Sequence, residues 1–219
     1  MPSLTIENYV KTIYQICAAS EQRPASTGEV AQALSVSPGT VTSMLKTLAD
    51  GGLATYTPYE GVHLTSAGEA LALRMLRRHR LIEQFLVQTL KLTWDEVHEE
   101  AENMEHAVSD RLIDRIDEFL GFPSADPHGD PIPRADGTIA EPEYQRLSDF
   151  AVGDAFRLVR VIDQSPEFLR YLSETGLPLE AEGTLTNHRH EAGTVTIDVG
   201  ENSITLGREA ADKLLVLAN

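Results

Sequence analysis

The chain has 219 residues, 42% hydrophobic and 24% charged, with a formal net charge of −16, an ordinary globular composition. No apolar run approaches the roughly 20 residues of a membrane span and no basic-then-apolar leader opens the chain, so a soluble, cytoplasmic protein is expected. A single cysteine, Cys17, excludes an intrachain disulfide framework and a cysteine-rich zinc site, and the acidity argues against nonspecific attachment to a polyanion.

In chain order, residues 4–19 predict a helix from the 3–4 residue recurrence of Ile6, Tyr9, Val10, Ile13, Tyr14 and Cys17. After Arg23-Pro24-Ala25, Ser26 or Thr27 caps a second helix through Val30, Ala31 and Leu34. The turn Ser35–Gly39 leads into a third helix from about Pro38 to Ala49, with Val41, Met44, Leu45 and Leu48 as its buried stripe. Residues 53–65 predict two short strands around a turn at Pro58–Gly61. A long helix over about 66–90 follows. A further one spans about 93–120, with Thr93 as N-cap and Glu96 at capping-box spacing. Residues 121–142, with five prolines and three glycines, predict a linker. From about 150 come short β-prone runs (155–162, 182–187, 194–199 and 203–206) with a helical piece at 167–174 and a tail of either type. This small β domain is consistent with a barrel.

Helix, short turn, helix and hairpin is the order of a winged helix-turn-helix. A helix that enters the major groove needs a small, polar N-terminal face, and Ser37, Thr40, Thr42, Ser43, Lys46 and Thr47 meet that need behind Pro38. Tyr59, at the hairpin tip, is placed to reach the DNA backbone. Residues 1–70 hold three basic against six acidic side chains, so bound cations must offset part of the repulsion. The cluster Arg74, Arg77, Arg78 and Arg80 is either a phosphate-contacting patch or a solvated helix face.

Residues 98–106 read HEEAENMEH. On a continuous helix His98, Glu102, Glu105 and His106 fall within an arc of about 100°, and His79 and Glu83 repeat the i, i+4 spacing on the preceding helix. The alternative to a metal site is a solvated acidic face. Imidazole and carboxylate ligands suit manganese, iron(II), zinc or cobalt, and carboxylate-rich sets lean toward manganese. Without a cation, carboxylates at close range repel one another, which makes the arrangement a natural switch. No Ser or Cys nucleophile stands beside a base and no glycine loop cradles a phosphate, though a catalytic dinuclear metal site, the other functional reading, needs neither; a regulator rather than an enzyme is expected.

Three stretches together resemble the DtxR/MntR family of metal-dependent repressors: IENYVKTIY with SVSPGTVTSMLKTLADGGL and GVHLTSAGE, then RRHRLIEQFL with VHEEAENMEH, then DPHGDPIP. The resemblance implies a mainly α protein with a small β part, divided into a winged helix-turn-helix over 1–70, a helical dimerisation and metal-binding domain over 71–142, and an SH3-like, FeoA-like β domain over 143–219. It implies a homodimer on a palindromic double-stranded operator, repressing genes of metal homeostasis. One metal site would use His79, Glu83 and His98 with a β-domain ligand, for which Asp163 and Gln164 are nearest. The other would use Glu102, Glu105, His106 and a first-helix residue, Asn8. Lys11 cannot ligate and can pair with a carboxylate. Glu102 favours manganese(II), with iron(II) the alternative and zinc, cobalt or cadmium as substitutes. A winged-helix regulator answering another ligand, with the His/Glu face purely structural, is the competing reading.

Overall fold

The computed structural model describes residues 3–20, 22–140 and 143–218. The chain divides into two compact units, one of residues 1–79, 105–108 and 133–138, the other of residues 80–104, 109–132 and 139–219.

The first unit opens with α1 (Leu4–Ala18), α2 (Thr27–Ala33) and α3 (Pro38–Asp50), then the hairpin β1 (Ala54–Thr57) and β2 (Gly61–Leu64). Each helix begins at a serine. Ser3, Ser26 and Ser37 accept hydrogen bonds from Ile6, Glu29 and Thr40 N–H, supplying partners for donors that a helix start leaves unpaired. Ser26 and Glu29 complete a capping box. The core joins Val10 and Ile13 of α1, Val30 of α2, Val41, Leu45 and Leu48 of α3 and Val62 of the hairpin. Gly68 lets α4 (Ser66–Phe85) begin close to the hairpin, since a Cβ there would lie 2.0 Å from the Leu53 carbonyl oxygen.

The long helix expected over 66–90 ends at Phe85 and passes into a π-turn over Leu86–Leu90. The helix expected over 93–120 is two helices, α5 (Val97–Met104) and α6 (Asp110–Phe119). Thr93 N–H does bond to the Glu96 carboxylate at 3.1 Å, but the helix proper starts at Val97. The interruption at 105–109 has a local cause. Ser109 takes an extended conformation and caps α6 through Leu112 N–H, so its backbone serves a new start rather than continuing α5.

In the second unit, six strands form one antiparallel sheet in the order β3-β8-β4-β5-β6-β7: β3 (Gln145–Arg146), β4 (Ala155–Val161), β5 (Glu182–Arg189), β6 (Thr194–Val199), β7 (Asn202–Gly207) and β8 (Leu214–Ala218). Phe156, Leu158, Leu185, Ile197, Leu206, Leu214 and Val216 fill its core with Leu169 and Leu172 of α7 (Pro166–Thr175). The tail is a short helix, α8 (Arg208–Ala211), and then β8.

The stretch expected as a linker is instead folded over 124–132. Asp126 N–H bonds to the Asp130 carbonyl and Ile132 N–H to that of Ser124. The Asp126 carboxylate accepts from the His128 and Asp130 N–H groups at 2.8 and 3.0 Å, an Asx-type turn that its Pro and Gly composition favours. Val161 N–H bonds to the His128 carbonyl, which ties the loop to β4.

Candidate functional site

Among the described residues, metal-ligating side chains gather within each unit. In the first unit α1 carries Glu7, Asn8 and Lys11, α4 carries His79, and the turn after α5 carries Glu105 and His106. Glu105 is fully buried. One carboxylate oxygen meets Lys11 Nζ at 2.6 Å and the other meets His79 Nδ1 at 2.6 Å. Burial pushes the Glu105 carboxyl upward, but His79 and Lys11 outweigh it and hold it below the usual carboxylate range. His106 presents Nδ1 to Glu7 Oε2 at 2.8 Å and Nε2 toward Glu105 Oε1 at 3.4 Å.

Of the expected first-helix residues, Lys11 does pair with a carboxylate. Asn8 Oδ1 is buried without a hydrogen-bond partner, while its neighbour Glu7 reaches His106. Because α5 ends at Met104, Glu105 and His106 do not share the helical arc of His98 and Glu102. They enter the cluster from a turn.

In the second unit Glu83, His98 and Glu102 lie together. His98 Nδ1 is 3.3 Å from Glu83 Oε1 and its Nε2 is 3.9 Å from Glu102 Oε1. Glu83 also belongs to a fully interior group with Asp126 and His128, whose ligand atoms lie within 4.8 Å of one another. His128 Nε2 is 2.7 Å from the Trp94 carbonyl oxygen. A carbonyl only accepts, so Nε2 carries the proton and Nδ1 presents a lone pair. That lone pair has no hydrogen-bond partner and faces Glu83 Oε2 at 3.8 Å and Asp126 Oδ1 at 3.9 Å. Burial, then Asp130, then Glu83 push the Asp126 carboxyl well above its usual range.

A buried imidazole lone pair without a hydrogen-bond partner, beside two carboxylates, is costly to leave unused. These residues therefore fit a divalent ion. Asp126 and His128 went unnoticed in the sequence because their stretch reads as turn-forming. The one available signal was an Asp-x-His-x-Asp alternation inside the Pro/Gly segment.

Asp163 is held by Lys213 Nζ at 2.8 Å and caps Ser165 N–H. Gln164 donates to Asp130, which also pairs with Arg80 and Arg160.

On the DNA-reading side, Ser37, Pro38, Thr40, Ser43, Lys46 and Thr47 are exposed along α3 and Thr42 is half-buried. Ser37 and Thr40 hydroxyls bond to one another at 2.8 Å, and Thr42 and Thr47 bond back to the Pro38 and Ser43 carbonyls. Tyr59, at positive φ, is fully exposed on the hairpin tip. A cleft of about 540 Å³ between α3 and the hairpin is lined by Thr42, Lys46, Tyr56 and Tyr59 among others. Arg77, Arg78 and Arg80 are not a solvated or phosphate-facing patch. All three are buried, with Arg78 donating to the Glu105 carbonyl and Arg80 to that of Pro131.

Family models match consecutive stretches of the chain. They are the N-terminal DNA binding domain of iron dependent repressors over residues 1–62, the metal binding and dimerisation domain of the same proteins over 65–134, and the FeoA domain over 145–218. A solved manganese-dependent transcriptional repressor in complex with manganese is 40% identical, with a TM-score of 0.89, covering 98% of this chain and 100% of that one. The iron-dependent repressor IdeR of Mycobacterium leprae is 29% identical over 225 residues, 97% of this chain and 96% of IdeR. The HTH-type transcriptional regulator MntR of Lysinibacillus sphaericus is 35% identical over 120 residues, 55% of this chain and 84% of MntR. By its residues, its fold and these matches, the chain belongs to the iron-dependent repressor family, the DtxR/MntR proteins.

Proposed function

We propose that this chain is a metal-activated transcriptional repressor. It binds a palindromic double-stranded operator as a homodimer when loaded with manganese(II), with iron(II) the alternative activator, and acts on genes of metal homeostasis in the cytoplasm without any enzymatic step. The carrying observation is the buried His128 Nδ1 lone pair facing the Glu83 and Asp126 carboxylates. A divalent cation would take that lone pair and both carboxylates as ligands. The donors are nitrogen and oxygen alone, since Cys17 is buried in the core of the first unit. That set suits manganese and iron(II) and also admits zinc, cobalt or cadmium.

The ligand sets are drawn from His79, Glu83, His98, Glu102, Glu105 and His106, together with Asp126 and His128. Asn8 and Asp163 are further candidates on α1 and in the β domain. Operator contact falls to Ser37, Pro38, Thr40, Thr42, Ser43, Lys46 and Tyr59, and the three regions 1–70, 71–142 and 143–219 divide the work. What the ion supplies is charge: it neutralises clustered carboxylates in a chain of net charge −16 and holds the side chains of separate elements together.

Fluorescence anisotropy of an operator duplex from the chain's own genomic neighbourhood tests this. Manganese should tighten wild-type binding by about 100-fold, within the range of allosteric couplings. Glu105→Ala and His106→Ala should abolish that gain while binding without metal stays as in wild type. Operator affinity indifferent to both manganese and chelator would leave a winged-helix regulator that answers another ligand.

A further inference from the structure

The geometry points to Glu7 as a positioning residue for the cluster of the first unit, acting through His106 rather than as a ligand. This rests on the reading of His106 as a metal ligand. The two imidazole nitrogens have different neighbours. Nδ1 lies 2.8 Å from Glu7 Oε2, a hydrogen-bond distance, whereas Nε2 stands 3.4 Å from Glu105 Oε1. A carboxylate accepts only, so the short contact places a proton on Nδ1, and in the neutral imidazole that binds a metal the lone pair is then on Nε2, on the side of a Glu105 oxygen. Nε2 and Glu105 Oε1, which also accepts from Lys11 Nζ at 2.6 Å, are the pair a divalent cation there would take as ligands. A carboxylate behind the distal nitrogen of a ligating histidine fixes its tautomer and ring orientation and raises its basicity.

Position in the fold gives the contact a second consequence. Glu7 and His106 are both largely shielded from solvent, at 11% and 12% side-chain exposure, so the bond between them is weakly screened. Glu7 sits on α1, whose Tyr9, Val10 and Ile13 lie in one core with Val41, Leu45 and Leu48 of the DNA-reading helix α3. A ring held by metal at Nε2 and by Glu7 at Nδ1 restrains the first turns of α1. The Glu7–His106 bond, beside the Lys11–Glu105 pair on the same helix, is a link through which occupancy of the cluster reaches the helices that read DNA.

The experiment uses the full chain. Manganese affinity is read from the EPR signal of the free ion, and the His106 tautomer from imidazole ¹⁵N shifts with zinc in place of paramagnetic manganese. Glu7→Ala should weaken manganese binding by about 10- to 100-fold, the usual cost of losing such a partner. Glu7→Gln keeps an accepting carbonyl oxygen and should stay within about threefold of wild type. Wild-type His106 should show a protonated Nδ1 and a metal-bound Nε2. Glu7→Ala binding manganese as tightly as wild type, or zinc found on Nδ1, overturns the assignment. The second arm decides even if Glu7→Ala folds poorly. His106→Ala separates the two readings. If it leaves manganese affinity unchanged, His106 is no ligand and the cluster reading fails. If it weakens binding while Glu7→Ala does not, only the role of Glu7 fails.

Discussion

A fully buried carboxylate is stable only with partners, and Glu105 has one on each oxygen. Lys11 and His79 together hold it ionised against its burial. Lys11 also shows how far residue chemistry was readable: an ammonium among carboxylates cannot ligate, so it had to pair. Which first-helix side chain would meet His106 was not readable, because Glu7 and Asn8 are adjacent on α1 and only the helix orientation separates them. At the same scale, Glu29 titrates in isolation from the metal clusters. The Arg23 guanidinium, with Ser26, lowers its carboxyl from 4.5 to about 2. Because the folded value lies below the unfolded one, the associated stability is present above about pH 4.5 and is lost as the pH falls toward 2. Glu29→Gln should flatten that part of the curve of melting temperature against pH and leave the neutral region nearly unchanged. An equally steep acid limb in the variant would remove Glu29 from the account.

At the scale of elements, helix starts were legible because caps are local: Ser26 with Glu29, and Ser37 before Pro38, announce α2 and α3. Helix ends were less so. Apolar periodicity runs through 93–120, and only the capping geometry of Ser109 divides α5 from α6. The loop over 124–132 was the largest surprise, since Pro and Gly report turns equally well in a solvated linker and in a packed loop. Gly129 shows the packing. Its φ is +87° and a Cβ would lie 2.0 Å from the Val159 carbonyl oxygen, so no side chain fits without moving β4. Gly129→Ala should cost at least about 2 kcal/mol. It should also weaken manganese binding, because it displaces His128 next to it. Thermal unfolding with and without manganese checks both, and a variant as stable as wild type would mean the loop shifts freely.

For the whole molecule, the net charge of −16 opposes DNA binding, and the ordered cations of a loaded dimer offset part of it. Among the described residues no helix is long and apolar enough to cross a membrane. The second unit exposes large apolar side chains. Leu90, Leu112, Phe119 and Phe122 are all exposed, and Phe119 packs edge-on to Phe85 with centroids 6.2 Å apart. Burial of such residues is the usual driving force of a homodimer. Phe119→Asp with Phe122→Asp should shift sedimentation from dimer to monomer and abolish operator binding. A double variant that remains dimeric would place the interface elsewhere.

The sequence by itself determined the winged helix-turn-helix, the β character of the C-terminal region and the residue types of the metal chemistry, because periodicity, caps and ligand spacing are encoded over a few residues. Only the tertiary structure decided that Glu7 meets His106, that Arg77, Arg78 and Arg80 are interior, and that Asp126 and His128 close on Glu83. Those contacts join residues up to 99 positions apart, and their geometry is set by how helices and loops pack rather than by any local pattern.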